Sequence, residues 1–342
     1  MKWDFKPIVL DPNRKSDAQR LRLLFRRKPP LTIADTLEDQ RAELWESRLL
    51  PPNPLNSGAE RWVYYPWRNV IVHALAPPLF QELRTSRNRN LITKEEQKKA
   101  RSSLIAIAGL SVGNTIAAHL MLEGFENMHL ADYDSLSLSN LNRLRASIAD
   151  IGVPKTVLAA RQLYEINPYA RIMLFTRGIQ TLADIERFAV QPRRAALIID
   201  EMDSLELKLA LRRVAKKNRI AVVSAADNDT NTVINIERFD QEPSRELYHG
   251  VLGDVSTEAL HAMAKSEKIG IINKMVGEKF ITNRMKASLA EVGTTLHTWP
   301  QLGGAAAASA AGICFAAKRI ILAGDLESGF YSVDFGALFS SA

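Results

Sequence analysis

The sequence predicts an α/β fold: a mostly parallel sheet with helices on both faces, preceded by a smaller mixed α+β region. Three observations carry this. From about residue 100, short apolar runs recur at 104–108, 127–131, 195–199 and 220–224. Segments with helical spacing lie between them, and strands apolar throughout need cover on both faces, as the strands of a parallel sheet do. The first run leads directly into Gly109-Leu110-Ser111-Val112-Gly113-Asn114 and then a helical stretch. That is the strand–glycine turn–helix order of a Rossmann-like unit.

The 342 residues, 46% of them hydrophobic, suffice for one large or two modest domains and argue against disorder. The single cysteine, Cys314, excludes an internal disulfide and a four-cysteine zinc site. No zinc and a reducing cytoplasm are therefore expected. The start, Met1-Lys2-Trp3-Asp4-Phe5-Lys6, lacks the apolar stretch of a signal peptide. Residues 303–324 are rich in Ala and Gly, but Lys318 and Arg319 interrupt them. Two adjacent cations are costly inside a bilayer, so a buried helix is expected there and no membrane span. The formal charge is +7, and residues 1–101 hold 20 Lys and Arg against 12 Asp and Glu, a net of +8. The basic excess thus sits in the N-terminal third. A solvated basic face and an anionic partner such as RNA both fit it.

The elements follow in order. The N-terminal third carries Pro- and Arg-rich runs, Arg26-Arg27-Lys28-Pro29-Pro30 and Pro51-Pro52-Asn53-Pro54. Between them, residues 33–50 read as an amphipathic helix, with Ile33, Leu37, Leu44 and Leu49 on one stripe. Residues 61–67 read as a short strand ended by proline. After the strand at 104–108, residues 109–114 are a turn, and a helix runs to about Glu123. Residues 154–166 are helical by the spacing of Val157, Leu158, Ala160 and Leu163, with Pro154 suited to the first turn. A helix at 205–217 separates the last two strands. There is no internal repeat.

The glycine turn lets backbone approach a phosphate, and the helix after it offers free N–H groups and a positive dipole end. Gly109 and Gly113 fit a dinucleotide-type motif, whereas Ser111 and Asn114 stand where glycines are usual. Alone, such a turn is also a plain strand–helix connection. Asp132 ends the second strand about 20 residues later, where a carboxylate accepts hydrogen bonds from ribose hydroxyls; its bland reading is a turn aspartate. Next come Asp132-Tyr133-Asp134, Ser139-Asn140-Leu141-Asn142-Arg143, Asp150-Ile151-Gly152-Val153-Pro154-Lys155 and Glu165-Ile166-Asn167-Pro168. In this series the sequence resembles the ThiF/MoeB family of the ubiquitin-activating superfamily, over about residues 85–240.

The resemblance implies an ATP- and Mg²⁺-dependent adenylyltransferase that activates the C-terminal carboxylate of a ubiquitin-like protein or peptide. Attack of a carboxylate on the α-phosphate builds negative charge that fixed cations stabilise. By the resemblance, Gly109, Ser111, Gly113, Asn114, Asp132 and Asp134 belong to the nucleotide site, with Asp132 on the ribose. Asn140, Arg143 and Lys155 line the phosphates, and Asp203, in Ile198-Ile199-Asp200-Glu201-Met202-Asp203, serves Mg²⁺. Arg87 and Arg89 correspond to arginines lent by a neighbouring subunit, which implies a homodimer; the small residues from Gly303 to Ala317 offer one packing surface. Residues 1–100 then form an N-terminal accessory region and 101–342 the adenylation domain. Its nucleotide-binding half is 101–240, and 241–342 hold a crossover loop and C-terminal half. Residues 227–250 sit where relatives have the crossover loop, so Glu237-Arg238-Phe239-Asp240 and His249-Gly250 are candidates for a substrate channel.

The chain departs from that pattern in its cysteines. Cys314 lies among Ala310, Ala311, Ile313 and Phe315, a packing position rather than an exposed low-pKa thiol, so thioester chemistry is not expected. Three other readings stay open. They are a non-catalytic partner subunit, a relative of the tRNA threonylcarbamoyladenosine dehydratases, and an NAD- or FAD-dependent oxidoreductase. The last gives no reason for Asn140, Arg143 and Lys155 together.

Overall fold

A computed structural model of the chain describes residues 3–47, 58–253, 255, 257–263, 265–296 and 298–340. Two sheets organise it. The first is four-stranded, in the order β1-β3-β4-β2, from β1 (Ile8–Leu10), β2 (Thr32–Asp35), β3 (Glu60–Tyr65) and β4 (Val70–Leu75). Helices α1 (Lys15–Phe25), α2 (Leu37–Glu46) and α3 (Pro77–Arg84) accompany it. The helix expected over 33–50 is thus a strand and a shorter helix. Thr32 to Asp35 pair in parallel with Val70 to His73, and the helix begins at Leu37. Leu37 and Leu44 are buried, but Ile33 is 56% exposed, so the apparent stripe ran across a boundary between two elements. Leu49 and the run Pro51-Pro52-Asn53-Pro54 lie outside the described residues. β3 stops at Tyr65, before Pro66, which has no N–H to give the ladder.

The second sheet has seven strands in the order β11-β10-β9-β8-β5-β6-β7. These are β5 (Leu104–Ala108), β6 (Asn127–Ala131), β7 (Arg171–Phe175), β8 (Leu197–Asp200), β9 (Ala221–Asn228), β10 (Asn231–Glu237) and β11 (Gly329–Val333). β9, β8, β5, β6 and β7 run parallel, β10 runs against them, and β11 pairs antiparallel with β10 and so returns to their direction. Every residue of β5, β6 and β8 is buried, the two-sided burial that their unbroken apolar runs announce. Around the sheet stand α4 (Lys94–Ser102), α5 (Val112–Leu122), α6 (Lys155–Ile166), α7 (Leu182–Ala189) and α8 (Leu205–Lys217). They are followed by α9 (Thr257–Ala262), α10 (Lys265–Val276), α11 (Asn283–Ala290), α12 (Gly303–Lys318) and α13 (Phe335–Leu338). Pro154 precedes α6 as its N-cap rather than sitting in its first turn.

Two further expectations change. The first half of the crossover loop expected at 227–250 is sheet: β9 runs to Asn228, the chain reverses at Asp229, and β10 returns to Glu237. Glu237, Arg238 and Phe239 are buried, so they line no channel. The small residues of α12 are spent mainly inside this chain. Ala306, Ala310, Ile313, Cys314 and Ala317 join the core that holds Ile116, Ala117 and Leu120 of α5, and a Cβ on Gly312 would meet Ile234 at 2.1 Å. The helix from Gly303 to Ala323 is long and apolar enough to cross a membrane by composition. Its buried side packs on the sheet as a core helix, which explains that composition.

The first sheet meets the second unit at the C-terminal end of α6. Tyr65 Oη donates to the Tyr164 carbonyl at 3.2 Å, and Trp67 Nε1 and the Arg68 guanidinium bond Glu165 at 2.6 Å.

Cys314 is 3% exposed, with its Sγ near the Ile116 carbonyl, and burial pushes its thiol far above the usual range. A native-state thiol reagent is expected to leave it unlabelled, with labelling appearing only in denaturant. Cys314→Ala is expected to lower stability by about 1 kcal/mol through a small cavity. Mass spectrometry and denaturant melts check both.

Candidate nucleotide site

β5 has β6 on one side and β8 on the other, so the sheet changes its direction of winding at β5. In open α/β sheets ligands bind in the crevice at such a point, beyond the carboxyl ends of the strands. The glycine turn occupies that end. Gly109 has φ +88°, and a Cβ there would stand 2.2 Å from the Glu201 carbonyl, so both conformation and close approach require glycine. Helix α5 starts at Val112, inside the segment expected as a turn, and Gly113 lies in its first turn. Asn114 is 5% exposed, and its Nδ2 has no partner among the described residues.

Asp132 fixes this turn. Its Oδ2 accepts the Leu110 N–H at 2.7 Å and its Oδ1 accepts the Asp134 N–H at 2.7 Å. Burial raises its pKa, while Lys155 and the two N–H groups oppose the rise. A carboxylate has about four acceptor sites, so about two stay open to a ligand. Lys155 begins α6. Its N–H donates to the Asp134 carbonyl at 2.9 Å, and its largely buried Nζ pairs with Asp134 Oδ2 at 2.8 Å.

Asn140 and Arg143 lie on and just after the 3-10 turn Leu138–Asn142. Asn140 is buried, and its Oδ1 accepts the N–H and the hydroxyl of Ser137, both at 3.1 Å. It therefore shapes the turn. Arg143 Nε donates to Ser111 Oγ at 3.0 Å, and Nη1 donates to Asn142 Oδ1 at 2.8 Å. Burial lowers the Arg143 pKa, against the pull of Asp227 and then Asp203. Ser111, which breaks the glycine pattern, thus holds an arginine over the start of α5.

Asp203 is exposed, in the turn between β8 and α8, and has no ion pair among the described residues. Asp200, by contrast, is fully buried and paired with Arg212 and Lys208. No group of three or more His, Cys, Asp or Glu side chains suited to a metal occurs among the described residues.

Sequence reasoning missed the far wall. Asp227, at the end of β9, is buried; its carboxylate accepts Ser309 Oγ at 2.8 Å and Gln301 Nε2 at 3.2 Å. Gln301 in turn accepts from Asn142 Nδ2 at 2.8 Å, and a Cβ on Gly303 would stand 2.7 Å from the Asn142 carbonyl. These partners come from segments 74 to 159 positions apart, a separation that no short motif spans. Glu201, between Asp200 and Asp203, carries no motif signal of its own. Its Oε1 accepts the Ala225 N–H at 2.9 Å, and burial pushes its carboxyl up to about 8, with Lys208 and that N–H opposing.

Arg87 and Arg89 are not brought to the site within one chain. Arg89 pairs with Glu82, and Asn88 between them reaches the Glu123 carbonyl just past the C-terminal end of α5. The glycine turn lies at the other end of that 11-residue helix, about 16 Å away. Arg84 is structural, bonded to the Met121 carbonyl at 2.7 Å and to Glu126.

A model of the ThiF family matches residues 85–302. The chain belongs to the ThiF family. This ThiF-family chain is 36% identical over 316 residues to an uncharacterized protein of Mycobacterium tuberculosis (strain CDC 1551 / Oshkosh), covering 92% of this chain but only 43% of that relative. It is 27% identical over 196 residues to the molybdopterin-synthase adenylyltransferase of Haemophilus influenzae, covering 56% and 76% of the two chains. Escherichia coli MccB, solved with ATP, superposes with a TM-score of 0.52 at 17% identity, over 73% of this chain and 71% of that one. Family and fold together give the chain an adenylyltransferase-like fold.

Two outcomes follow from the turn. Gly109→Ala is expected to cost more than about 1 kcal/mol, since it combines a left-handed φ with a clash against backbone; urea unfolding measures it. An acid held at about 8 keeps its proton in the fold, so its contribution is complete below the unfolded value of 4.5 and declines as pH rises towards 8. The melting temperature of Glu201→Gln should therefore gain on wild type between about pH 5 and pH 9. An unchanging gap would place the Glu201 pKa near its ordinary value.

Proposed function

We propose that this chain is an ATP-dependent adenylyltransferase that activates a carboxylate, the C-terminus of a ubiquitin-like protein or peptide, as an acyl adenylate. The carboxylate oxygen attacks the α-phosphorus, the bond from that phosphorus to the bridging oxygen breaks, and pyrophosphate leaves with the electron pair. The observation that carries this reading is Arg143, fixed on Ser111 Oγ above the start of α5 with Asp203 among the charges facing it. A cation held there stabilises charge as it develops, without reorganising.

The residues fit the nucleotide. Asn114 carries a buried amide donor without a partner among the described residues, Gly109 and Gly113 leave backbone bare, and Asp132 keeps acceptor capacity for a ribose. Lys155, at the start of α6, stands within reach of Asp134 and would exchange that partner for a phosphate oxygen. Asp203 fits Mg²⁺ that arrives with the nucleotide: one unpaired carboxylate plus phosphate oxygens and water is a usual magnesium set. When bound, the ion supplies charge neutralisation on the phosphates.

Thioester transfer is not part of the proposal, because Cys314 is locked in the core. Arg87 and Arg89 would reach a nucleotide site only on a second copy, so a homodimer belongs to the reading. The exposed face of α12, with Gly304, Ala307, Ala311 and Phe315, is one surface free to meet it. A cytoplasmic location suits a protein that uses ATP.

The test is ATP–pyrophosphate exchange with candidate peptides, across a Mg²⁺ series. Arg143→Ala should lose about 100- to 1,000-fold, and extra Mg²⁺ should not restore it. Asp203→Ala should lose activity that high Mg²⁺ partly restores. Both should melt near wild type. Wild-type exchange in both variants would move the chemistry elsewhere and favour a non-catalytic partner role.

A further inference from the structure

Behind the turn that carries Asp203 lies a buried charge cluster that the proposed reaction does not touch. Arg212, on α8, is 0% exposed. Its guanidinium pairs with Asp200 and, through Nε at 2.5 Å, with Glu237 Oε2. It also donates to Ser224 Oγ and the Lys208 carbonyl, both at 3.3 Å, and lies 4.0 Å from the ring centre of Tyr248. Lys208 joins Asp200 at 3.4 Å, so two cations balance two carboxylates. Such a cluster is seldom more stable than an apolar core of the same size; its best attested use is to fix one arrangement of the chain.

Here it fixes two turns. Asp200 Oδ1 accepts the Met202 N–H at 3.2 Å, setting the path from Asp200 to Asp203. Glu237 Oε1 accepts the Tyr248 N–H at 2.7 Å. Tyr248 and His249 have φ of +49° and +59°, a consecutive left-handed pair that is uncommon outside glycine and costly above all for the bulky Tyr248. His249 is pinned as well, through Nε2 to Asn235 Oδ1 at 2.6 Å. Arg212 is the only described side chain that bonds both Asp200 and Glu237. A lysine, with a single point charge, would not bridge the two carboxylates in this way.

We propose that Arg212 is a positioning residue, which holds Asp203 in place through Asp200 and locks that turn to the left-handed turn at Tyr248–His249 through Glu237. The inference rests on the reading of Asp203 as the magnesium-facing carboxylate. The test uses Arg212→Lys in the full chain, with Arg212→Met/Glu237→Gln as a charge-balanced variant, which keeps the Lys208–Asp200 pair, should the lysine fail to fold. Amide hydrogen exchange on the nucleotide-free protein is expected to speed up together at residues 200–204 and 246–250, while 104–108 stay protected. The Mg²⁺ concentration for half-maximal pyrophosphate exchange should rise roughly tenfold or more, as when a group supporting a metal ligand is lost. Unchanged exchange at 200–204, or loss of protection across the whole sheet, overturns the proposal. If Asp203→Ala is impaired but the arginine variants keep the wild-type Mg²⁺ curve, the proposal fails and the functional reading stands. If Asp203→Ala behaves as wild type, that reading fails, and hydrogen exchange alone still decides whether Arg212 couples the two turns.

Discussion

The carboxylate of Asp132 is the constraint on which the site depends. It takes one backbone N–H from the glycine turn after β5 and one from the loop after β6, so two strand ends are held at a fixed separation by one side chain. Lys155 then anchors to Asp134, the next stop on the same loop, and places the first turn of α6. Burying such a carboxylate is costly unless hydrogen bonds and a nearby cation compensate, and both are present. The same atoms that organise the turn therefore keep an anionic group where a sugar hydroxyl would need an acceptor.

Around this anchor the chain separates scaffold from site along its helices. The N-terminal sheet binds the C-terminal end of α6, through Tyr164 and Glu165, and Arg84 binds near the C-terminal end of α5. The N-terminal ends of the same two helices carry Gly113 and Lys155. The accessory sheet thus braces the helices at one end and leaves the other, with its exposed N–H groups, facing the crevice.

Legibility followed the range of the interactions. β5, β6 and α8 were readable because buried strands and an amphipathic helix have local signatures, and the motif from Asp132 to Lys155 is compact. β2 was misread because Ile33 falls in phase with a helix that begins only at Leu37. β10 carries no clear strand signature, because Asn231, Thr232, Asn235 and Glu237 interrupt its apolar residues although the fold buries all seven. The roles of Asp227, Gln301 and Ser309 arise from contacts across about a quarter of the chain, and those of Arg212 and Arg213 could not be told apart by type. Only the spacing Leu205, Leu209, Arg212 marks which of the two faces inward.

The clasp that joins Asp227 to Ser309 and Gln301 also shapes how the protein is made. Arg143 bonds Ser111 across 32 positions, whereas the opposite wall closes across 74 and 82. Closing that wall is a long-range step, and steps of this kind slow folding. Until it is complete, the side of β9 and β10 that α12 covers, Ile234 among it, is open to solvent. Mutations in α12 that leave this surface uncovered would show as poor yield rather than altered catalysis.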